Sequence, residues 1–204
     1  MAGDVGRFPL IVLCGGKSGR MGVPKGLVRT DGEYWIERQL ALFSKISGSR
    51  VIVVLGYDAD RYFEALPWLR QDSPHTFVIN DAPEHGPFSS IVSAGRILTE
   101  PAAFLLPIDV PVPSAEVCKA LTGAFSIRVQ SCVPVFKKKG GHPVLLAATF
   151  LKQLAQVPFG SSEARLDEQI RRLQEDQRVR VPVDDPRILW NANTPAEMAR
   201  LAAE

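Results

Sequence analysis

The chain reads as an α/β protein, a single three-layer α/β/α domain over residues 1–204 with a mostly parallel sheet and one antiparallel hairpin. Three observations predict this. Apolar runs of strand length alternate with helical patterns along the whole sequence, as in sheets whose strands are joined by crossover helices. The early runs "FPLIVLC" and "RVIVVLG" carry no polar alternation, as strands covered on both faces do not. A later pair, "RVQSCVPVF" and "HPVLLA", is separated only by "KKKGG" and reads as two strands joined by a turn.

The elements follow in order. A first strand is expected over 9–14, then a glycine-rich loop. A helix over 33–45 places Trp35, Ile36, Leu40 and Phe43 at helical spacing. A strand over 50–56 precedes a helix over 59–66, which stops at Pro67. A strand over 75–80, a helix over 89–98 and the strand "AAFLLP", ending at Pro107, come next. A helix over 114–124 leads to the strand at 128–136, the turn at 137–141 and the antiparallel return. Two helices, 149–156 and 162–175, precede two short strands, "VRVPV" and "RILWN". In the last helix Thr194 can cap, Pro195 takes the first position and Glu197 completes a capping box.

Composition narrows the function. The chain is 46% apolar and 23% charged, so it can build a packed core. Lys+Arg is 24 against Asp+Glu 22, a net charge of +2. That balance gives no bulk attraction for nucleic acid, and any anion site must be built locally. Cys14, Cys118 and Cys132 form no C-x-x-C pair and are odd in number, which argues against a disulfide framework or a zinc site. The short apolar run after "MAGDVGR" is neither a membrane span nor a signal peptide in plan. The expectation is a soluble cytoplasmic protein with no membrane or nucleic-acid partner.

The stretch "LCGGKSGRMGVPKGL" gathers Lys17, Arg20 and Lys25 among glycines directly after the first strand. It fits neither G-x-x-x-x-G-K-[ST] nor G-x-G-x-x-G. One reading is a surface loop with solvated charges. The other is an anion cradle, because ligands of open α/β sheets collect at such strand ends. Asp109, in "LLPIDVPVP", is either a turn aspartate or a Mg²⁺ ligand; one carboxylate is enough for magnesium, which keeps water and phosphate oxygens as its other ligands. Asn193 either turns the chain into the last helix or assists that metal. Asp81 either caps a helix or accepts two hydrogen bonds from a guanine edge. His142 is either a structural hydrogen-bonder or part of a site.

These motifs together resemble the nucleotidyltransferase family that includes molybdenum cofactor guanylyltransferase and cytidylyltransferase. The opening stretch is similar to its signature, "PIDVP" to its metal site, and "DAPEHGPFSSIVSAG", "GHPVLL" and "NANTPAEM" to three later motifs in the same order. The resemblance covers residues 10–202. It implies a Rossmann-like fold of the nucleotide-diphospho-sugar transferase type. It also implies Mg²⁺-dependent transfer of a nucleoside monophosphate to a phosphorylated acceptor with release of pyrophosphate. By position, Leu13, Gly15 and Gly16 would contact base and ribose. Arg20 and Lys25 would hold the triphosphate and act with Asp109 in catalysis. Asp81 would read the base, Asp109 and Asn193 would hold the metal, and Ser89, Gly141 and His142 would lie near the acceptor.

Gly15 and "NANTP" resemble the guanylyl branch, which points to GTP as donor and molybdopterin as acceptor, with transient contact to enzymes that receive the cofactor. "GPFSS" and "GHPVLL" lean toward the cytidylyl branch, and "PFGSSEARLDEQIRRL" fits neither. A CTP enzyme, an enzyme of another small phosphate or sugar phosphate, and a non-catalytic nucleotide-binding carrier of the cofactor are the other readings.

Overall fold

The computed structural model describes residues 5–19, 22–70 and 75–203. Strand β1 (Leu10–Cys14) is buried throughout. A small hairpin follows, β2 (Arg29–Thr30) and β3 (Glu33–Tyr34), closed by Asp31 and Gly32 at φ 54° and 86°. Two left-handed residues in an Asp-Gly pair give the turn that matches strand twist. Helix α1 therefore starts at Trp35 and runs to Ile46 (Trp35–Ile46), two residues later than the sequence suggests. Strand β4 (Val51–Leu55), helix α2 (Ala59–Ala65) and strand β5 (Thr76–Ile79) fall where the sequence places them. Helix α3 (Gly86–Ile97) begins three residues before the expected start, with Pro87 in its first turn.

Strand β6 (Ala102–Pro107) and helix α4 (Ala115–Ala124) match the reading closely. Strand β7 (Ser131–Phe136) turns through Lys137 and Lys138, both at positive φ, into the two-residue β8 (Lys139–Gly140). The longer return, β9 (Val144–Ala147), pairs antiparallel with β7. Helix α5 (Ala148–Leu154) is as expected, but α6 is only Leu166–Arg172, because residues 158–165 are spent in turns. Strand β10 (Arg178–Pro182) corresponds to "VRVPV". "RILWN" is not a strand. Asp185 caps the 3-10 turn Pro186–Leu189 by accepting from the Arg187 N–H, and Pro186 presets its φ. Helix α7 (Pro195–Ala203) closes the chain.

The sheet order is β10-β7-β9-β6-β1-β4-β5, with β8 on β7. Strands β1, β4, β5 and β6 are parallel, as are β7 and β10; β9 runs antiparallel to both its neighbours. Alternate residues of the central strands feed two cores. Leu10, Val12, Val53 and Leu55 pack under α1, α2, α4 and α7, while Ile11, Leu13, Ile52 and Val54 pack under α3 and α5. This is why "LIVLC" and "VIVVL" contain no polar position. The chain builds outward from β1 through β4 to β5, then crosses back to add β6 on the other side of β1. The loops after β1 and β6 diverge at that reversal and open a crevice, the place where ligands of open α/β sheets bind.

Candidate active site

The loop after β1 is shaped by a contact between two glycine backbones. A Cβ on Gly56, at the end of β4, would stand 2.4 Å from the Gly15 carbonyl oxygen. Further on, Ser18 sits at φ 46° and its Oγ accepts from the Lys25 N–H at 3.1 Å. The 3-10 turn Lys25–Leu27 then aims Lys25 back at the crevice. The Gly26 N–H donates to the Tyr62 hydroxyl at 3.1 Å, and a Cβ on Gly26 would be 2.6 Å from that oxygen. Tyr62 is thus the buried post on which the lysine turn rests. Arg20 lies outside the described residues.

Asp109 is fixed from three sides. The Ile108 N–H donates to the Leu13 carbonyl at 3.2 Å, and the Trp35 indole donates to the Ile108 carbonyl at 2.6 Å. The Gln39 amide oxygen accepts from the Val112 N–H at 2.7 Å. The Asp109 carbonyl accepts from the Ala192 N–H at 2.8 Å, which brings Asn193 alongside. The Glu197 carboxylate accepts from the N–H groups of Asn193 and Thr194 at 2.7 and 3.0 Å, and Thr194 Oγ1 accepts from the Glu197 N–H at 3.2 Å. The expected capping box is therefore present, and it holds Asn193 in place. The result is one cluster: Lys25 Nζ lies 2.6 Å from Asp109 Oδ2 and 3.2 Å from Asn193 Oδ1. Among the described residues no group of three His, Cys, Asp or Glu side chains could hold a metal, so a cation here would lean on Asp109, Asn193 and ligand oxygens.

Leu13, Gly15, Gly16, Lys25, Asp109 and Asn193 share one cleft of about 340 Å³. Asp81 is exposed in the loop after β5, where Pro83 forms the wall of the cleft. Ser89, expected near the acceptor, is fully buried instead. Its Oγ accepts from Asn80 Nδ2 at 2.8 Å and lies within hydrogen-bonding distance of the carbonyls of Ala82 and Gly86. Ser89 points inward from α3, and the neighbouring Ser90 lines the cleft. Asn80 Nδ2 also donates to Ser90 Oγ at 3.0 Å, so one buried amide ties both serines to the end of β5. Cys14 borders the cleft, but burial, augmented by the Asp109 charge and opposed by a bond to Tyr62, pushes its thiol up to about 12.

Gly141 and His142 stand at a second, adjoining cavity. A Cβ on Gly141 would lie 2.2 Å from the Ile188 carbonyl oxygen, which also accepts from the His142 N–H at 2.9 Å. Burial lowers the His142 pKa despite the opposing Asp109 charge, so the ring is neutral at physiological pH. Sequence reasoning missed Gly56 and Tyr62. The "LG" at the end of the second strand was the only available signal for Gly56; Tyr62 offered none beyond a helical aromatic.

A glycine loop, one lysine and one carboxylate gathered at the switch point of such a sheet define a nucleotide-handling α/β enzyme. The chain belongs to the MobA-like NTP transferase domain family, whose model matches residues 10–181, and is a nucleotidyltransferase. It is 30% identical over 145 residues, 70% of this chain and 68% of the relative, to a Bacillus cereus (strain AH820) protein described as "Probable molybdenum cofactor guanylyltransferase". A Methanothermobacter thermautotrophicus (strain Delta H) protein of the same description is 30% identical over 164 residues, 79% of this chain and 78% of its own. The solved structure of a nucleotidyl transferase from Methanothermobacter (Mth528) superposes with a TM-score of 0.73 at 18% identity, covering 95% of each chain. The fold is that of the nucleotide-diphospho-sugar transferases. No helix among the described residues is long and apolar enough to cross a membrane.

Proposed function

We propose that the chain transfers GMP from GTP to the phosphate of molybdopterin, with Mg²⁺, and releases pyrophosphate. The observation that carries this reading is the Lys25–Asp109–Asn193 cluster at the sheet reversal. The donor set fits a divalent cation: two hard oxygens, one a carboxylate, already converge on a single positive charge, the Lys25 ammonium. Asp109 and Asn193 would hold Mg²⁺, which when bound neutralises charge on phosphate oxygens.

The chain's own residues do the rest. Leu13, Gly15 and Gly16 take the nucleoside along the wall of the cleft. Asp81 accepts two hydrogen bonds from the guanine edge. Ser18 and Lys25 face the triphosphate, and Arg20 is assigned to it by the motif alone. An oxygen of the acceptor phosphate attacks the α-phosphorus, the bond to the bridging oxygen of the β-phosphate breaks, and the electron pair leaves with pyrophosphate. Lys25 offsets the charge that builds on that leaving group; positioning and neutralisation are the main catalytic terms in such transfers. No side-chain nucleophile is required, and Cys14 stays protonated. Gly141 and His142 border the acceptor, while Ser89 supports the loop beside it. The names of the two curated relatives favour guanylyl transfer to the molybdenum cofactor.

The test is pyrophosphate release from the purified chain with molybdopterin, Mg²⁺ and each of GTP, CTP, UTP and ATP. Release with GTP above the others is expected. Release with CTP alone would move the donor to the cytidylyl branch. No release, with thermal stabilisation by a nucleotide retained, would make the chain a carrier; such binding at a hundredfold excess over Kd is worth about 2.7 kcal/mol.

A further inference from the structure

Beside the nucleotide cleft lies a larger cavity of about 610 Å³. Pro87 lines both, so the two adjoin at the start of α3. The walls of the second cavity are Phe88, Ile91, Val133 and Val144, with Leu166 and Ile170, one turn apart on α6, as its cover. That cover comes from the stretch 158–173. It is held to the body by the Phe159 ring against His85 and Phe88, with centroids at 5.3 and 6.4 Å, and by Arg178, which donates to the Arg171 carbonyl at 2.9 Å.

The rim is cationic. Arg165, Arg171 and Arg180 border the cavity against one carboxylate, Asp167. Arg165 and Arg171 both pair with Asp167, at 3.2 and 3.0 Å. Arg180 makes no ion pair among the described residues; its guanidinium donates to the Lys138 carbonyl at 2.9 Å. Strand β10 places it there by alternation. Val179 and Val181 pack on the α1 side of the sheet, so Arg178 and Arg180 face the cavity side.

We propose that this cavity holds the non-reacting body of the acceptor and that Arg180 binds a second anionic group on it, separate from the phosphate that reacts. This rests on the nucleotidyl-transfer reading. The walls suit the apolar face of a ring system. Arg180 is exposed at the edge of this wall and has no carboxylate partner among the described residues, which leaves its planar fork open to an anionic group. The reacting phosphate must reach Asp109, which lines the nucleotide cleft and not this cavity; the group facing Arg180 is therefore another one. Arg180, together with the α6 cover, is then the determinant that separates acceptors of equal size by charge.

The experiment compares two fluorescent probes of one ring system, 6-carboxypterin and neutral 6-hydroxymethylpterin, titrated into the full chain and into R180Q and R180K. The carboxylate form should bind the wild type about tenfold tighter or better, the gain typical of a charge-assisted pair. R180Q should abolish that preference and R180K restore part of it. With molybdopterin as acceptor, R180Q should raise KM with kcat little changed. Equal affinity for the two pterins, absence of binding by both, or an unchanged preference in R180Q overturns the proposal. GTP with Mg²⁺, titrated into the same preparations, should bind wild type and R180Q alike. Failure of GTP to bind wild type overturns the nucleotidyl-transfer reading instead and leaves the pterin comparison readable.

Discussion

Lys25 Nζ and Asp109 Oδ2 are 2.6 Å apart, joining the loop after β1 to the end of β6 across the crevice. An ammonium at that distance repels a divalent cation placed on the same carboxylate and neutralises part of the charge that would hold it. The lysine therefore competes with the metal until a triphosphate draws it away. In K25M, Mn²⁺ affinity measured by calorimetry without nucleotide should rise by about tenfold, the equivalent of about 1.4 kcal/mol, and saturating GTP should narrow the difference. By linkage, metal and triphosphate should each strengthen the other's binding in the wild type. Unchanged Mn²⁺ affinity in K25M would show that no competition exists.

Asp109→Asn keeps the shape of the side chain and removes its charge. Turnover in Mg²⁺ should fall by about a thousandfold or more, the equivalent of about 4 kcal/mol at the transition state. Circular dichroism and Tm should stay close to the wild type, since Ile108, Trp35 and Ala192 hold the turn through its backbone. Near-wild-type turnover would remove Asp109 from the metal site.

Gly56→Ala and Gly15→Ala should differ in cost although the two glycines touch. A Cβ added at Gly56 would meet the backbone of Gly15 at 2.4 Å, which cannot yield without moving β1 or β4. A loss of about 1–3 kcal/mol and weaker GTP binding are expected. A Cβ added at Gly15 would meet Ser90 Oγ at 2.8 Å, a hydroxyl that can rotate. That change should cost about 1 kcal/mol, the Asn80 hydrogen bond. Denaturant melts of both variants, run beside GTP titrations, decide the matter; equal losses would mean that the two backbones are not in fixed contact.

Asp185 couples stability to pH. Burial by itself would raise its pKa, but the Arg187 guanidinium and the N–H groups of Ser114 and Arg187 hold the carboxyl down at about 2, against an ordinary 3.8. The folded value lies below the unfolded one. Its contribution is thus complete above about pH 4 and is lost as pH falls from about 4 to about 2. The shift corresponds to about 2 kcal/mol. D185N should be less stable than wild type by about that amount at pH 7 in urea melts, and the gap should close toward pH 2. A gap of equal size at pH 7 and pH 3 would show that the charge is not its source.

Much of the fold was legible because burial on both faces leaves a plain mark. "LIVLC" and "VIVVL" read as strands covered on both faces, and they are neighbours in the sheet. The Thr194–Glu197 capping box was legible because it is local, involving atoms three residues apart. Where local and apolar signals conflicted, the apolar one misled. "RILWN" looks like a strand, yet Asp185 and Pro186 just before it set a 3-10 turn. Asp31-Gly32 carried a hairpin signal, but the amphipathic run beyond it pulled residues 33 and 34 into the expected helix.

The sequence by itself determined the strand–loop–strand frame, the loop cations and the aspartate after β6, because each depends on residue type and short spacing. The tertiary structure alone decided which of these groups meet. Asp109 and Asn193 lie 84 and 168 residues along the chain from Lys25, and only the sheet order brings them onto one ammonium. Ser90 and not Ser89 lines the cleft, since adjacent residues of a helix point about 100° apart and the packing of α3 on the sheet sets which one turns inward. The second cavity exists only because α6 stands over β7 and β9, and no spacing in "PFGSSEARLDEQIRRL" encodes a distance to the far edge of a sheet.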